Sequence, residues 1–367
     1  MPRLLSVAHM DPPYEVKQDS VVEFAREIFA ESYRDIDRLL TVFQNGNIKS
    51  RRFSKDLTWF QTPHSLAEKN DAYLETAEKL GTMVVIKCLR ESTFLQSPIP
   101  YEEIDAIFFV STTGMATPSM EARIMNKLPF RQTTKRIPIW GLGCAGGTSG
   151  LARACEYCKA YPEAKVLLIA LELCSLTFQK GDLSKSNLVG TSLFSDGVAC
   201  VCIGGDGAST ESVQPTYRIP SCVDAQSTLK PNSLGVMGWD VKDDGLYVVF
   251  SRDIPSIVKN WVQSNVVSFL EKNELTLDEV EYFIAHPGGK KVLDAYVDAF
   301  SIPDEKTSYS RDVLRDHGNM SSATVLYVLE NVMKEAATGT KKEWGLMTSL
   351  GPGFSSELLL LKWEETV

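Results

Sequence analysis

The chain uses one strand, turn, helix, strand pattern twice, and a duplicated core constrains architecture more than any single motif does. EEIDAIFFVSTTG (Glu102 to Gly114) is an acidic lead-in to an apolar strand that ends in small polar residues, and DEVEYFIAHPGG (Asp278 to Gly289) is built the same way. Each is followed by a glycine-led small-residue turn that opens an apolar helix, GCAGGTSGLARACEYCKAY in the first half and GNMSSATVLYVLENVMKEA in the second. From Ile104 to Cys144 is 40 positions and from Val280 to Asn319 is 39, so the halves keep register. Fresh strands come next, KVLLIALE (Lys165 to Glu172) and KKEWGLMTSL (Lys341 to Leu350), then the apolar segments FSDGVACVCIGG and GPGFSSELLLLKW.

Repeated in this way, the pattern predicts an α/β fold of two pseudo-symmetric halves, with near-continuous apolar strands in sheets covered on both faces. The two helices after the glycine-led turns are rich in small residues, as a helix sandwiched between sheets requires. A boundary is expected in GGDGASTESVQPTYRIPS (Gly204 to Ser221), which divides the chain into residues 1–210 and 211–367. Upstream of the repeat mainly helices are expected, among them EVKQDSVVEFAREIFAES (Glu15 to Ser32), whose apolar residues recur at helical spacing.

With 367 residues, 44% of them hydrophobic, the chain has material for a large core. Its 47 acidic and 38 basic residues leave a net charge of -9, which argues against nucleic acid as the main partner. The apolar run in MPRLLSVAHM is too short for a signal peptide, and no stretch of about 18 apolar residues occurs, so a cytoplasmic protein without an integral membrane segment is expected. The eight cysteines lie mostly in apolar patterns and read as free thiols of a reducing compartment. Cys155 and Cys158 spell CxxC, but inside one helix and without a second pair, so no metal is called for.

The symmetry brings chemistry with it. Cys144 and Asn319 occupy equivalent helix-opening turns and can face one another, while His286 stands where its own strand ends. At a helix start the backbone N–H groups and macrodipole favour a thiolate, which makes Cys144 a candidate nucleophile with a depressed pKa. Plain packing of a cysteine in a tight turn explains it as well. Histidine is scarce: His9, His64, His286 and His317 are the four. His286, before Pro287, Gly288 and Gly289, suits a pocket wall, or a core ring bonded to a carbonyl. His317 reads as part of a solvated or loop-bonding cluster, and His9 and His64 lack a comparable setting. Asn319 suits a helix N-cap, and that role is compatible with donating to an oxyanion beside His286.

At GLGCAGGTSGL, AHPGGKKVL and DHGNMSSATV the sequence resembles the chalcone and stilbene synthase-like type III polyketide synthases, and LTVFQNGNIKSRRF and NLVGTSLFSDGVA bring it nearest to bacterial alkylpyrone-forming members. The resemblance spans essentially the whole chain. It implies a thiolase-like layered αβαβα fold, a homodimer, and substrates that are acyl-CoA and malonyl-CoA thioesters with no further cofactor. Cys144 would carry the acyl starter, with His286 and Asn319 binding the malonyl thioester during decarboxylation. Phe194 matches the family's gatekeeping phenylalanine; Val248, with Phe250 two places on, stands at the second gate. Thr117 stands where plant members have a methionine that crosses the dimer interface, and Cys174 and Thr177 fall among cavity-lining positions. Thr113, Gly190 and Ser321 are further substrate-binding candidates. The family's basic CoA contacts are missing from IDRLLTVFQNG, which leaves Lys49, Arg51 and Arg52 of IKSRR, or a merely solvated turn there. The small residues at Val248 and Thr117 favour a long aliphatic starter. A single-round ketoacyl synthase III-like enzyme using an acyl carrier protein, and a silent acyl-CoA-binding homologue, are the alternatives.

Overall fold

The computed structural model describes residues 1–364 apart from 31, 32, 34, 252 and 340–342. Glu31 and Ser32 of the expected early helix, and Lys341 and Lys342 of the expected late strand, lie outside the described residues. The first half runs β1 (Arg3–Met10), β2 (Tyr14–Lys17), α1 (Gln18–Phe29), α2 (Ile36–Asn45), β3 (Ser50–Phe53), α3 (Leu66–Ile86), β4 (Ile104–Val110), α4 (Met120–Met125), β5 (Lys135–Ile139), α5 (Gly146–Ala160), β6 (Lys165–Leu173), α6 (Lys185–Leu193) and β7 (Asp196–Gly204). The second runs β8 (Ser221–Leu229), β9 (Met237–Lys242), β10 (Gly245–Phe250), α7 (Ile254–Ile257), α8 (Gln263–Lys272), β11 (Val280–Ala285), α9 (Lys290–Phe300), α10 (Ser308–His317), α11 (Thr324–Ala336), β12 (Glu343–Gly351) and β13 (Ser355–Trp363).

The repeat is visible in the pairing. β6 lies parallel to β4 and antiparallel to β7, while β12 lies parallel to β11 and antiparallel to β13. β1 then adds antiparallel to β7 as β8 adds to β13. Two sheets were expected; the strands instead form one sheet in the order β11-β12-β13-β8-β1-β7-β6-β4-β5, joined between halves by the pairing of Arg3 with Ser221. The sequence reading also missed β1, which sits mid-sheet, and it drew Glu15 to Lys17 into a helix although they pair with β3 as β2. Leu4, Leu5, Val7 and Ala8 of β1 are all buried, a run that periodicity alone does not distinguish from a short helical segment.

α5 and α11 lie between the two halves of the sheet. Their Leu151, Ala154, Cys155, Val325, Leu329 and Val332 share one core with Val166 and Leu168 of β6 and with Met347 and Leu359 of the second half. The opposite face of β6 (Leu167, Ile169, Leu171) meets α3 through Ala77, Leu80 and Val84. On the far side Phe269 of α8 and Leu293 and Tyr296 of α9 cover Phe283, Leu346 and Leu360. Both faces of these strands are therefore buried, which is why they read as unbroken apolar runs. α1, α2 and β3 form a smaller apolar cap with Phe60 and Leu188.

Cys155 and Cys222 form a disulfide between α5 and β8, their Cα atoms 6.4 Å apart, so the free-thiol reading holds for the other six cysteines only. Positions 67 residues apart in sequence meet here because α5 crosses the other half's strands, and sequence spacing does not reveal that meeting. Cys158 of the CxxC is a buried thiol near the carbonyls of Ala164 and Ile203.

The central layer is tight where its helices open. A Cβ built on Gly147 would stand 2.2 Å from the Ser322 carbonyl oxygen and 2.6 Å from Val325. Gly147→Val therefore forces the two helix-opening turns apart, and we expect a loss of about 3 kcal/mol or more in denaturant unfolding. Gly181→Val, at a position with open space around it, serves as the control with little effect.

Candidate active site

Cys144 sits in a single 3-10 turn, Gly143–Ala145, that runs straight into α5. Gly143 makes the turn possible: its φ is +48°, its N–H donates to Thr112 Oγ1 at 3.1 Å, and a Cβ there would meet Pro352 at 2.8 Å. In the second half the matching turn is Asn319 to Ala323, entered through Gly318 at φ +73°. The two turns meet as the symmetry predicts, with Cys144 Sγ 4.0 Å from Asn319 Oδ1.

The Asn319 amide is fixed at both ends. Oδ1 accepts from the Ser321 N–H at 2.9 Å, and Nδ2 donates to the Gly288 carbonyl at 3.1 Å, which leaves the second Nδ2 hydrogen for another acceptor. Its backbone is held as well: the Asn319 N–H donates to Leu193 O, and the Ser195 N–H donates to Asn319 O, both at 2.9 Å, a one-residue parallel bridge with Phe194. The helix N-cap expected at Asn319 falls elsewhere, on Met320 for the turn and Ala323 for α11, because Asn319 stands before the turn and its amide joins Ser321 to Gly288; its backbone is tied to the residue expected to gate the cavity.

His286 follows β11, its N–H bonded to Thr348 O of β12 at 2.8 Å. The ring is buried, and neither Nδ1 nor Nε2 has a hydrogen-bond partner among the described residues. The carbonyl-bonded core histidine is thereby set aside, and a donor and an acceptor remain for a ligand. Burial pushes His286 down to about 3 and pushes the Cys144 thiol up to about 12. The expectation of a depressed cysteine pKa is overturned: the contacts with Ser321, Asn319 and the residue's own N–H favour the thiolate, but desolvation outweighs them. In the closed site the pair is thiol and neutral imidazole.

No role was expected for Glu172, the buried carboxylate that ties both halves together. Its Oε2 accepts from the N–H groups of Thr112 (3.0 Å) and Thr113 (3.2 Å) and from Thr113 Oγ1 (2.8 Å), and its Oε1 accepts from Ser322 Oγ of the second half at 2.7 Å. Its one visible signal is an acid closing a fully apolar strand, KVLLIALE. Thr113 is therefore occupied as a Glu172 donor; it also lines a cavity beside Met115, Trp140 and Leu246.

Five predicted substrate contacts fall together. Cys174, Thr177, Gly190, Phe194 and Val248 line one cavity, walled otherwise by aromatic residues such as Phe24, Phe60 and Trp239 and by the polar Arg51, Ser175, Asn187 and Thr191. Phe250 stacks on Phe194 with ring centroids 5.6 Å apart, and Trp239 stacks on it at the same distance. Ser321, at φ +48°, lies in the Asn319 turn and favours the Cys144 thiolate. Thr117 is exposed, on the loop between β4 and α4, and lines none of this cavity.

The basic candidates separate. Arg51 is no surface cation: it is 1% exposed, and Nη1 donates to the carbonyls of Thr191 and Phe194, each at 2.7 Å, beneath the cavity wall. Arg52 is engaged by Glu15 at 2.8 Å and lies 3.8 Å from Asp11. Both point inward or sideways because β3 pairs with β2 and its alternate residues face the core. Lys49 alone faces an open cleft of about 860 Å³, which it shares with Lys290, Arg311 and Arg315.

Glu172 yields a pH test. Burial raises its carboxyl to about 7, above the ordinary 4.5, so the folded state holds the proton more tightly than the unfolded state. Its contribution to stability is full below about pH 4.5 and is lost as pH rises through about 7. The wild-type-minus-Glu172→Gln difference in unfolding free energy should therefore fall across this window; a flat difference would assign the decline to other groups.

Two family models match the sequence: chalcone and stilbene synthases, N-terminal domain, over residues 51–207, and the C-terminal domain over 221–363. A Bacillus subtilis (strain 168) protein named "Putative chalcone synthase" is 53% identical, over 99% of each chain. The 1,3,6,8-tetrahydroxynaphthalene synthase of Streptomyces peucetius subsp. caesius is 32% identical over 96% of this chain and 90% of its own. Among solved structures, the 1,3,6,8-tetrahydroxynaphthalene synthase of Streptomyces coelicolor A3(2), a bacterial type III polyketide synthase, superposes with a TM-score of 0.89 at 25% identity, covering 99% of this chain and 100% of that one.

Proposed function

The chain belongs to the chalcone and stilbene synthase family, type III polyketide synthases of thiolase-like fold that condense acyl-CoA with malonyl-CoA, and from that premise we propose that it extends a fatty acyl starter held on Cys144 and releases an alkylpyrone or alkylresorcinol-type product. The observation that carries this reading is the apolar cavity beside the Cys144 turn. Its wall residue Phe194 is bridged to Asn319, which stands 4.0 Å from Cys144 Sγ, and the lining is mainly aromatic and aliphatic, with Arg51, Ser175, Thr177, Asn187 and Thr191 as its polar part.

The roles proposed are those that the family's chemistry assigns to Cys144, His286 and Asn319. His286 accepts the Cys144 proton as Sγ attacks the acyl-CoA carbonyl; the carbon–sulfur bond to CoA breaks, and the proton leaves with the CoA thiol. Both groups start neutral, so transfer of the proton is coupled to attack, and no standing ion pair is needed. When the malonyl thioester loses carbon dioxide, the electron pair of the broken carbon–carbon bond moves onto the thioester oxygen. His286 N–H and the free Asn319 Nδ2 hydrogen stabilise that enolate. The enolate carbon then attacks the Cys144 thioester and expels the thiolate, ready to reload.

The two halves, residues 1–210 and 211–367, would contribute separately: nucleophile from the first, histidine and amide from the second. Lys49, with Lys290 four residues beyond His286, is proposed to meet the CoA phosphates at the shared cleft. A homodimer is supported by the exposed Met115 and Trp140 near Thr117, and a partner's cavity is the one that this threonine would reach. No described helix is long and apolar enough to cross a membrane, in keeping with a cytoplasmic site of action.

Incubation with fatty acyl-CoA and radiolabelled malonyl-CoA should release CoA, carbon dioxide and a cyclised product; no condensation with any starter would sink the proposal. Mass spectrometry should find an acyl adduct on Cys144 that Cys144→Ala abolishes, and Asn319→Ala should slow condensation by roughly 100-fold or more. Gly190→Leu places a side chain where a Cβ already stands 3.3 Å from Phe194 and 3.4 Å from Val248. It should shift preference toward shorter starters, read from kcat/KM across chain lengths. Lys49→Glu with Lys290→Glu should raise KM for acyl-CoA by about tenfold with little change in kcat.

A further inference from the structure

Two of the histidines that the sequence left without a shared role meet at the other end of the Asn319 turn. β1 ends at His9 and Met10, Asp11 follows, and α10 ends at His317. One ligand atom from each of His9, Asp11 and His317 lies within 4.8 Å of the other two. His317 Nδ1 and Asp11 Oδ1 face one another as an ion pair 3.2 Å apart, with no further polar partner for either atom among the described residues. Two donors bound to one metal at about 2.1 Å stand about 3.0 to 3.4 Å apart, depending on whether the geometry is octahedral or tetrahedral. The observed separation falls in that range.

The surroundings fit the same chemistry. His9 Nδ1 is bonded to Glu330 Oε2 at 2.7 Å, and Glu330 is held in turn by Lys334 at 2.6 Å. A carboxylate on one ring nitrogen orients the imidazole and leaves the lone pair on the other, the arrangement found behind metal-bound histidines. The Tyr327 ring supports both imidazoles, its centroid 4.1 Å from His9 and 5.1 Å from His317. Asp11 and Glu15 face Arg52, Glu330 faces Lys334, and Lys87 Nζ donates to the His9 carbonyl at 2.8 Å, so the carboxylates around the rings are balanced by cations. The His9 and His317 side chains are 23% and 21% exposed, which leaves the cluster open to solvent.

We propose that His9, Asp11 and His317 form a site for a divalent transition metal of the zinc class, with water completing the shell, separate from the Cys144 site. Two imidazoles and one carboxylate favour such an ion over magnesium or calcium, which prefer all-oxygen shells. The bound ion clasps the end of β1 to the end of α10, two residues before Asn319, and so braces the turn that holds the amide.

The test uses the full chain after treatment with EDTA and gel filtration. Equilibrium dialysis against zinc should give about one equivalent per chain, with a rise in Tm of about 4 °C at a hundredfold excess over Kd. Cobalt should give visible d–d absorption, and magnesium should do neither. His9→Ala and His317→Ala should each lose the zinc-dependent Tm rise while matching the wild-type Tm in EDTA, and Glu330→Gln should weaken binding by about 10- to 100-fold. His64→Ala and Cys144→Ser should keep it. Zinc binding that survives His9→Ala with His317→Ala, that disappears in Cys144→Ser, or that is absent from the wild type would overturn the proposal.

Discussion

Everything in this molecule depends on how closely two helix-opening turns can approach across the pseudo-symmetry axis. Gly147 lies against the Ser322 carbonyl with no room for a methyl group, and the Glu172 carboxylate receives hydrogen bonds from both halves at once. Because the turns touch, Cys144 and Asn319 come within 4.0 Å although 175 residues separate them. The covered sheet, the small residues of α5 and the apolar strands are what such an approach requires. Buried donors and acceptors at the seam must find partners, and Glu172 supplies four of them.

The same closeness sets the electrostatics. Water is excluded from a nucleophile, an imidazole and a carboxylate, and each is driven toward its neutral form: Cys144 up, His286 down, Glu172 up. A low-polarity site of this kind keeps a thiol quiet until an electrophile arrives, and it strengthens each remaining hydrogen bond to a developing oxyanion. The unpartnered ring nitrogens of His286 and the spare hydrogen of Asn319 are the polar capacity left open.

Much of this was legible because the repeat is strong. Equal spacing of IFFVSTTG to Cys144 and of FIAHPGG to Asn319 predicted which residues would face one another, and the small-residue helices predicted the central layer. What stayed hidden depends on contacts that spacing does not carry. β1 lacks the turn signals and the repeat that identified the other strands, the disulfide partner of Cys155 is chosen by a helix crossing, and Arg51 of the basic run turns inward because β3 pairs with β2. Glu172 was passed over since a single acid at a strand end reads like any surface residue. His9 and His317 stand 308 positions apart, and only the docking of β1 beside α11 brings them together.

The backbone bridge between Phe194 and Asn319 has a consequence for how such a protein can change. The aromatic that borders the acyl cavity and the amide beside Cys144 hang from one short stretch of hydrogen-bonded chain. Selectivity and turnover are therefore mechanically coupled traits. A lineage altering which starter fits has the least constrained path through Gly190, Val248 and Trp239, which share the wall but not the bridge.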